Sequence, residues 1–221
     1  SVPVRSKHGL LTTLACPVDG EPAYALEGSI FVAGSAVQWI RDGLRIVDSS
    51  GETDSMASSL KGNDGVYFVP AFVGLGTPYW NQDARGTIIG ITRGTTRAHI
   101  ARATLESIAY QTKDVLDAMA QDSGISLAAL KVDGGMAKND FMMGFMADVT
   151  GLDVIRPTYM ESTAMGAAYL AGLGIGFWKD TLEISANWKL DRRFAPRIGK
   201  DEADALYKGW KRAVSAALAA C

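Results

Sequence analysis

The stretch Leu130–Phe141, LKVDGGMAKNDF, joins a short apolar run to a helical pattern through two adjacent glycines. Leu130–Asp133 reads as a strand, Gly134-Gly135 as a turn, and Asn139–Thr150 as a helix closed by Gly151. Leu152–Arg156 follows as a further strand, stopped by Pro157. Strand, turn, helix and strand in this order make the unit of α/β layering. The turn also has a chemical reading. Without Cβ atoms, Gly134 and Gly135 leave bare backbone on which a base or ribose can lie. The helix that follows offers free N–H groups to an anion. Asn139 adds an amide that both donates and accepts hydrogen bonds. Taken alone, the paired glycines are better explained by a tight corner with no ligand, because such turns are very common.

Upstream stands the clearest element in the chain. From Ala98 to Gln121, apolar or small residues recur at Ala101, Leu105, Ile108, Thr112, Leu116 and Met119. That spacing predicts a long amphipathic helix with Thr96 as N-cap and Gly124 just beyond its end. Further upstream, Leu10–Ala15 and Tyr24–Phe31 read as strands joined across the turn Pro17–Pro22. Ala33–Leu44 reads as a helix with Val37, Ile40 and Leu44 on one stripe. Gly34 and Gln38, four apart at its start, share a face where the glycine opens room and the amide can make contact. By itself this is an ordinary exposed glutamine.

Residues 48–65 are rich in Ser, Asp, Gly and Thr and predict a polar excursion around a short helix. Gly65–Val73 carries a proline and is at most an edge strand. Leu75–Arg85 reads as a loop and Thr87–Thr92 as a strand. Downstream, the small residues of Ala164–Leu173 predict a helix able to approach its neighbours closely, and Asp201–Ala220 a final amphipathic helix with acidic residues at its positive end.

Composition narrows the function classes. With 48% apolar and 21% charged residues in 221, the chain is one large domain or a domain with an appendage, neither disordered nor a coiled coil. A net charge of −2 gives no electrostatic footprint for nucleic acid or an anionic membrane. The longest nearly uncharged apolar stretch, Ala164–Trp178, falls short of the roughly 18 residues of a membrane span. No signal-peptide core opens the sequence. Two cysteines, Cys16 and Cys221, cannot make a disulfide framework, which points to a reducing, cytoplasmic setting. His8 and His99 are isolated, and no HExxH, GxSxG, paired-cysteine or GxxxxGK[ST] pattern is present. The sequence therefore predicts no catalytic residue and no metal ligand within this chain.

The run Gly86–Ile91, followed by His99–Glu106, resembles the second signature of the FGGY carbohydrate kinases. Around it YALEGSIFVAGSAVQW (Tyr24–Trp39), VPAFVGLGTPYW (Val69–Trp80), VDGGMAKNDF (Val132–Phe141) and ESTAMGAAYLAGLGIGFW (Glu161–Trp178) extend the resemblance from about Ser6 to Trp210. Within that family, Gly74–Trp80 is similar to the glycerol kinases rather than the xylulose kinases.

The resemblance implies two actin-like, ribonuclease-H-like domains that close around ATP, Mg²⁺ and a sugar alcohol. Residues 1–221 would be the C-terminal, nucleotide-side α/β domain, a mixed sheet flanked by helices. Its first strand and a phosphate-binding turn would lie before Ser1, and the N-terminal domain would hold the catalytic aspartate and the glycerol contacts. Gly34 and Gln38 fall where the family contacts the nucleotide, and Gly135 and Asn139 where it holds adenosine. The reaction implied is γ-phosphoryl transfer from ATP to glycerol, giving glycerol 3-phosphate. Unpaired strand edges in such a piece predict a homo-oligomer. The alternatives are a kinase for another polyol or ketose, and a non-catalytic nucleotide-binding or regulatory remnant. One departure concerns the helix after the turn. Where the family has LMQFQAD, this chain has MMGFMAD, with Gly144 and Met146 in place of two glutamines. Glycine inside a helix costs about 1 kcal/mol relative to alanine.

Overall fold

The computed structural model describes residues 3–15 and 21–220, so Cys16, Cys221 and most of the predicted turn Pro17–Pro22 lie outside the described residues. Seven helices and seven strands are assigned within them. β1 (Leu11–Ala15) and β2 (Ala23–Glu27) form an antiparallel hairpin, and α1 (Gly34–Gln38) continues as a wider π-turn over Trp39–Gly43. α2 (Glu52–Ser58) sits in the polar excursion. β3 (Tyr67–Val69) pairs antiparallel with β4 (Thr87–Ile89). After α3 (Arg97–Ser123) come β5 (Ala129–Lys131), α4 (Asp140–Thr150), β6 (Asp153–Pro157), α5 (Ser162–Gly174), α6 (Thr181–Ser185), β7 (Leu190–Phe194) and α7 (Lys200–Ala219). The strands fall into three separate sheets, of which β5-β6-β7 is mixed, β6 running parallel to β5 and antiparallel to β7.

α3 is the axis of the core. Its first turn is tied down by His99, whose Nδ1 accepts from the Thr96 N–H at 3.0 Å while Nε2 lies 3.0 Å from Asp64 Oδ2. His99 thus closes the N-terminal capping box of α3 with Thr96. Gly124 ends the helix in the left-handed region at φ 66. α2, α4 and α7 pack against α3, with β3 beneath. Trp210 of α7 is fully buried and stacks on Tyr110 of α3 at 5.4 Å. Its Nε1 donates to Asp114 Oδ2 at 2.8 Å, and the same buried carboxylate accepts from Tyr79 at 2.9 Å and from Lys211 at 3.2 Å. Several donors offset the cost of burying this charge. They also fasten the Gly74–Trp80 loop to α3 and α7. Burial, reinforced by Asp114, pushes the Tyr79 hydroxyl well above the ordinary tyrosine range.

Three expectations are refined. Pro157 does not stop β6 but is its last residue, accommodated by an irregularity between Arg156 and Pro157 in the pairing with β7. β3 is an edge strand, paired only with β4, but all three of its residues are buried, because α3 and α7 pack against it. β7, Leu-Asp-Arg-Arg-Phe, has no apolar alternation and was not predicted. Its arginines lie over other groups instead, Arg192 over the Phe194 ring at 4.7 Å. The glycine inside α4 also finds a cause. A Cβ on Gly144 would lie 3.0 Å from Arg197 Nη2, so the glycine lets that guanidinium lie across the helix to reach buried Asp148. An ion pair stands beside the bare backbone, where the family pattern has a glutamine.

Candidate functional site

The segment between β5 and α4 adopts the strand–turn–helix form that its sequence predicted, with a single 3₁₀ turn, Gly135–Lys138, inserted. Gly134 sits at φ 80 and ψ 175, a conformation that a side chain strongly disfavours. Its N–H donates to the Met160 carbonyl at 2.8 Å, anchoring the turn to the chain beyond β6. Asn139 is the N-cap of α4, its Oδ1 accepting from the Met142 N–H at 2.8 Å.

Gly135 is different from its neighbour. Its backbone is ordinary, and a Cβ added there would meet nothing within 4 Å. It faces a cavity of about 540 Å³, walled by Gly135, Met136, Lys138, Asn139 and Asp140 on one side and by Ser50, Gly51 and Asp54 on the other, with Arg156 also in its lining. Arg156 is held by three groups: the Ala137 carbonyl and Asp140 Oδ1, each at 2.8 Å, and Asp191 Oδ2 at 2.6 Å. Partial burial works against its charge, but the hydrogen bonds it donates to Asp191 and Asp140 outweigh that and raise its pKa further. Three of the five N–H donors of its guanidinium fix the wall in this way. Lys138 is exposed and has no ion-pair partner among the described residues.

The two segments singled out in the sequence do meet. The position of the absent Gly34 Cβ is 3.1 Å from Met136 Cγ, so α1 abuts the same turn through the Met136 side chain. Gln38 is exposed one turn along α1 and is not part of the cavity wall. The opposite wall was missed. α2 is clamped to the start of α4 by two bonds, Asn139 Nδ2 to Thr53 Oγ1 at 3.3 Å and the Phe141 N–H to Asp54 Oδ2 at 2.9 Å. No local signal links residues so far apart in the chain. Among the described residues no group of three or more His, Cys, Asp or Glu is placed to hold a metal ion, and no helix is long and apolar enough to cross a membrane.

Comparison with known proteins gives this geometry a family. Residues 1–175 match the family model for the FGGY family of carbohydrate kinases, C-terminal domain. A glycerol kinase of Geobacillus sp. (strain WCH70) is 60% identical over 216 residues, covering 98% of this chain and 44% of its own length. One from Bacillus subtilis (strain 168) is 59% identical over the same span. The crystal structure of Plasmodium falciparum glycerol kinase with ADP superposes with a TM-score of 0.89 at 37% identity, over 98% of this chain and 44% of that one. A ligand-bound xylulose kinase from Lactobacillus acidophilus, 22% identical with a TM-score of 0.77 over 96% of this chain and 42% of its own, shares the fold. The chain spans less than half the length of the curated relatives it matches. Its α/β architecture is the actin-like, ribonuclease-H-like fold that the sequence implied. With the family model covering residues 1–175 and relatives near 60% identity, the chain belongs to the FGGY family of carbohydrate kinases.

Proposed function

We propose that residues 1–221 are the nucleotide-side domain of an ATP-dependent glycerol kinase, which transfers the γ-phosphoryl group of ATP to a terminal hydroxyl of glycerol. The identity to glycerol kinases supports the substrate, and the bare backbone of Gly135 at the mouth of the cavity carries the nucleotide assignment. There the adenosine lies against Gly135 and takes a hydrogen bond from Asn139, while Gly34, whose missing Cβ admits the Met136 side chain, brings α1 up to the turn so that Gln38 reaches the nucleotide from beyond the cavity wall. The general-base aspartate, the glycerol contacts and the phosphate loops belong to the remainder of such a protein. Phosphoryl transfer depends on positioning and charge neutralisation, so this domain orients the donor rather than performing proton transfer. Mg²⁺, when bound, supplies charge neutralisation at the phosphates, where it keeps several water ligands and needs few from protein. We place the enzyme in the cytoplasm, in keeping with its two cysteines, and as a homo-oligomer, which the exposed apolar residues of β1 and α5 support.

The test is coupled ADP release by the full-length gene product with ATP, Mg²⁺ and glycerol. A kcat/KM for glycerol above that for xylulose is expected. A faster pentose reaction would move the protein to another polyol or sugar kinase, and nucleotide binding without transfer would mark a regulatory module. The 221-residue chain alone should show no glycerol-dependent turnover. Gly135→Val should weaken ATP binding at least tenfold, about 1.4 kcal/mol. A Cβ there meets no protein atom within 4 Å, so the melting temperature should hold. Unchanged ATP affinity would remove Gly135 from the site.

A further inference from the structure

The Asn139 amide is fixed from both sides, and one of those sides is a buried hydroxyl. Thr53 is fully buried at the start of α2. A hydroxyl carries one proton, and Thr53 donates its own to the Ser50 carbonyl at 2.6 Å. Its oxygen can therefore only accept from Asn139, whose Nδ2 lies 3.3 Å away. On the other side, Asn139 Oδ1 accepts from the Met142 N–H at 2.8 Å. Turning the amide over would set its oxygen against an oxygen with no proton left, and its NH₂ against a backbone donor. Both neighbours select the same orientation. One N–H of Nδ2 goes to Thr53, and the second is what Asn139, a wall residue, has left to offer the cavity.

We propose that Thr53 is a positioning residue for the nucleotide, acting through Asn139 by presenting its amide to the cavity as a hydrogen-bond donor. The site would then take a nucleoside that offers an acceptor there, a ring nitrogen or a ribose oxygen. This inference rests on the nucleotide assignment above. It gives the 48–65 excursion a role in the site: α2 closes the cavity and sets the polarity of the residue facing it. The bond from the Phe141 N–H to Asp54 Oδ2 at 2.9 Å keeps α2 in register with the start of α4 while it does so.

The test is a double-mutant cycle on the full-length protein, with ATP KM, glycerol KM, kcat and thermal melting read for each variant. Thr53→Val should raise the ATP KM about fivefold, the loss of one hydrogen bond's worth of orientation, while glycerol KM is unmoved and kcat at saturating ATP falls less than twofold. Thr53→Ser, which keeps the hydroxyl, should restore the parental KM. In an Asn139→Ala background, Thr53→Val should add nothing further to the ATP KM, because its effect runs through that amide. Thr53→Ala serves the same comparison should the valine variant not fold. Additive effects, or a Thr53→Ala or Thr53→Val variant that folds with parental ATP KM, would overturn the positioning role alone. An Asn139→Ala variant that folds with unchanged ATP KM would instead overturn the nucleotide assignment, and this proposal with it.

Discussion

α4 and α5 are both apolar helices that follow strands of the same sheet, yet they meet opposite fates. α4 buries eight of its eleven residues against α2, α3, α7 and β6. α5 buries only Gly172 of its thirteen, and no helix or strand packs along it among the described residues. What covers its end is its own chain, the Trp178 ring folding back over Gly172 and against Tyr169 at 5.1 Å. The β1-β2 hairpin shares this openness, with Leu14 at 72% exposure. Apolar composition alone therefore does not bury a helix. Burial needs a facing element of matching shape, and the free energy of the apolar stripe is realised only where one exists.

The widest gap between the two regions should appear on truncation. Trp210→Ala removes a fully buried ring together with the indole donor to Asp114, and should cost about 3–5 kcal/mol in denaturant unfolding. Leu170→Ala on α5 should change stability by less than about 0.5 kcal/mol. Comparable losses at both positions would show that α5 is covered in solution.

A single type of change with opposite signs sharpens the contrast. A Cβ on Gly209 of α7 would lie 2.0 Å from the Tyr67 hydroxyl oxygen, so Gly209→Ala should destabilise by about 1–3 kcal/mol through overpacking. A Cβ on Gly166 of α5 meets nothing within 4 Å, so Gly166→Ala should stabilise by about 0.5–1 kcal/mol through the unfolded chain and helix propensity. Thermal melts of the two variants decide it, and shifts of the same sign would break the comparison.

The smallest effect concerns how the open flank is held. Asp122, near the end of α3, accepts from the Ser6 hydroxyl and from the Lys7 N–H at 3.0 Å, and pairs with His8 Nδ1 at 2.7 Å. The Ser6 hydrogen bond first, and then, against the opposing effect of burial, the Lys7 and His8 contacts, hold this carboxyl well below its usual range. A carboxylate with a lowered folded pKa contributes stability in full above its unfolded value of about 3.9, and loses it as pH falls through the folded value. Acidification from about pH 4 downward should therefore release amide protection at Lys7 and His8 while amide protection in the buried turns of α3 around Tyr110 stays native. Asp122→Asn should abolish that pH dependence. Simultaneous loss at both places would mean that flank and core unfold as one unit.

Much of the architecture was legible along the chain because it rests on local physics. The stripe of α3, the caps at Thr96 and Gly124, and the glycine corner before α4 follow from helical periodicity, from unsatisfied terminal N–H groups and from the backbone freedom of glycine, whereas the role of Asn139 as the N-cap of α4 emerged only in the structure. Local physics alone would not have singled out Gly135 and Asn139 as a ligand site; the family resemblance did so. β7 was not legible, since Arg192 and Arg193 interrupt its apolar pattern and its pairing with β6 is set by a strand more than thirty residues earlier.

By itself the sequence determined the α/β order of elements, the glycine turn and the family to which these belong. Only the tertiary structure decided that Gly34 meets the turn through Met136, that α2 forms the far wall of the cavity, and that Thr53 orients the Asn139 amide. The physical reason is range. Periodicity and capping act within a few residues, whereas the bond between Thr53 and Asn139 exists only because α2 and α4 are both packed on α3.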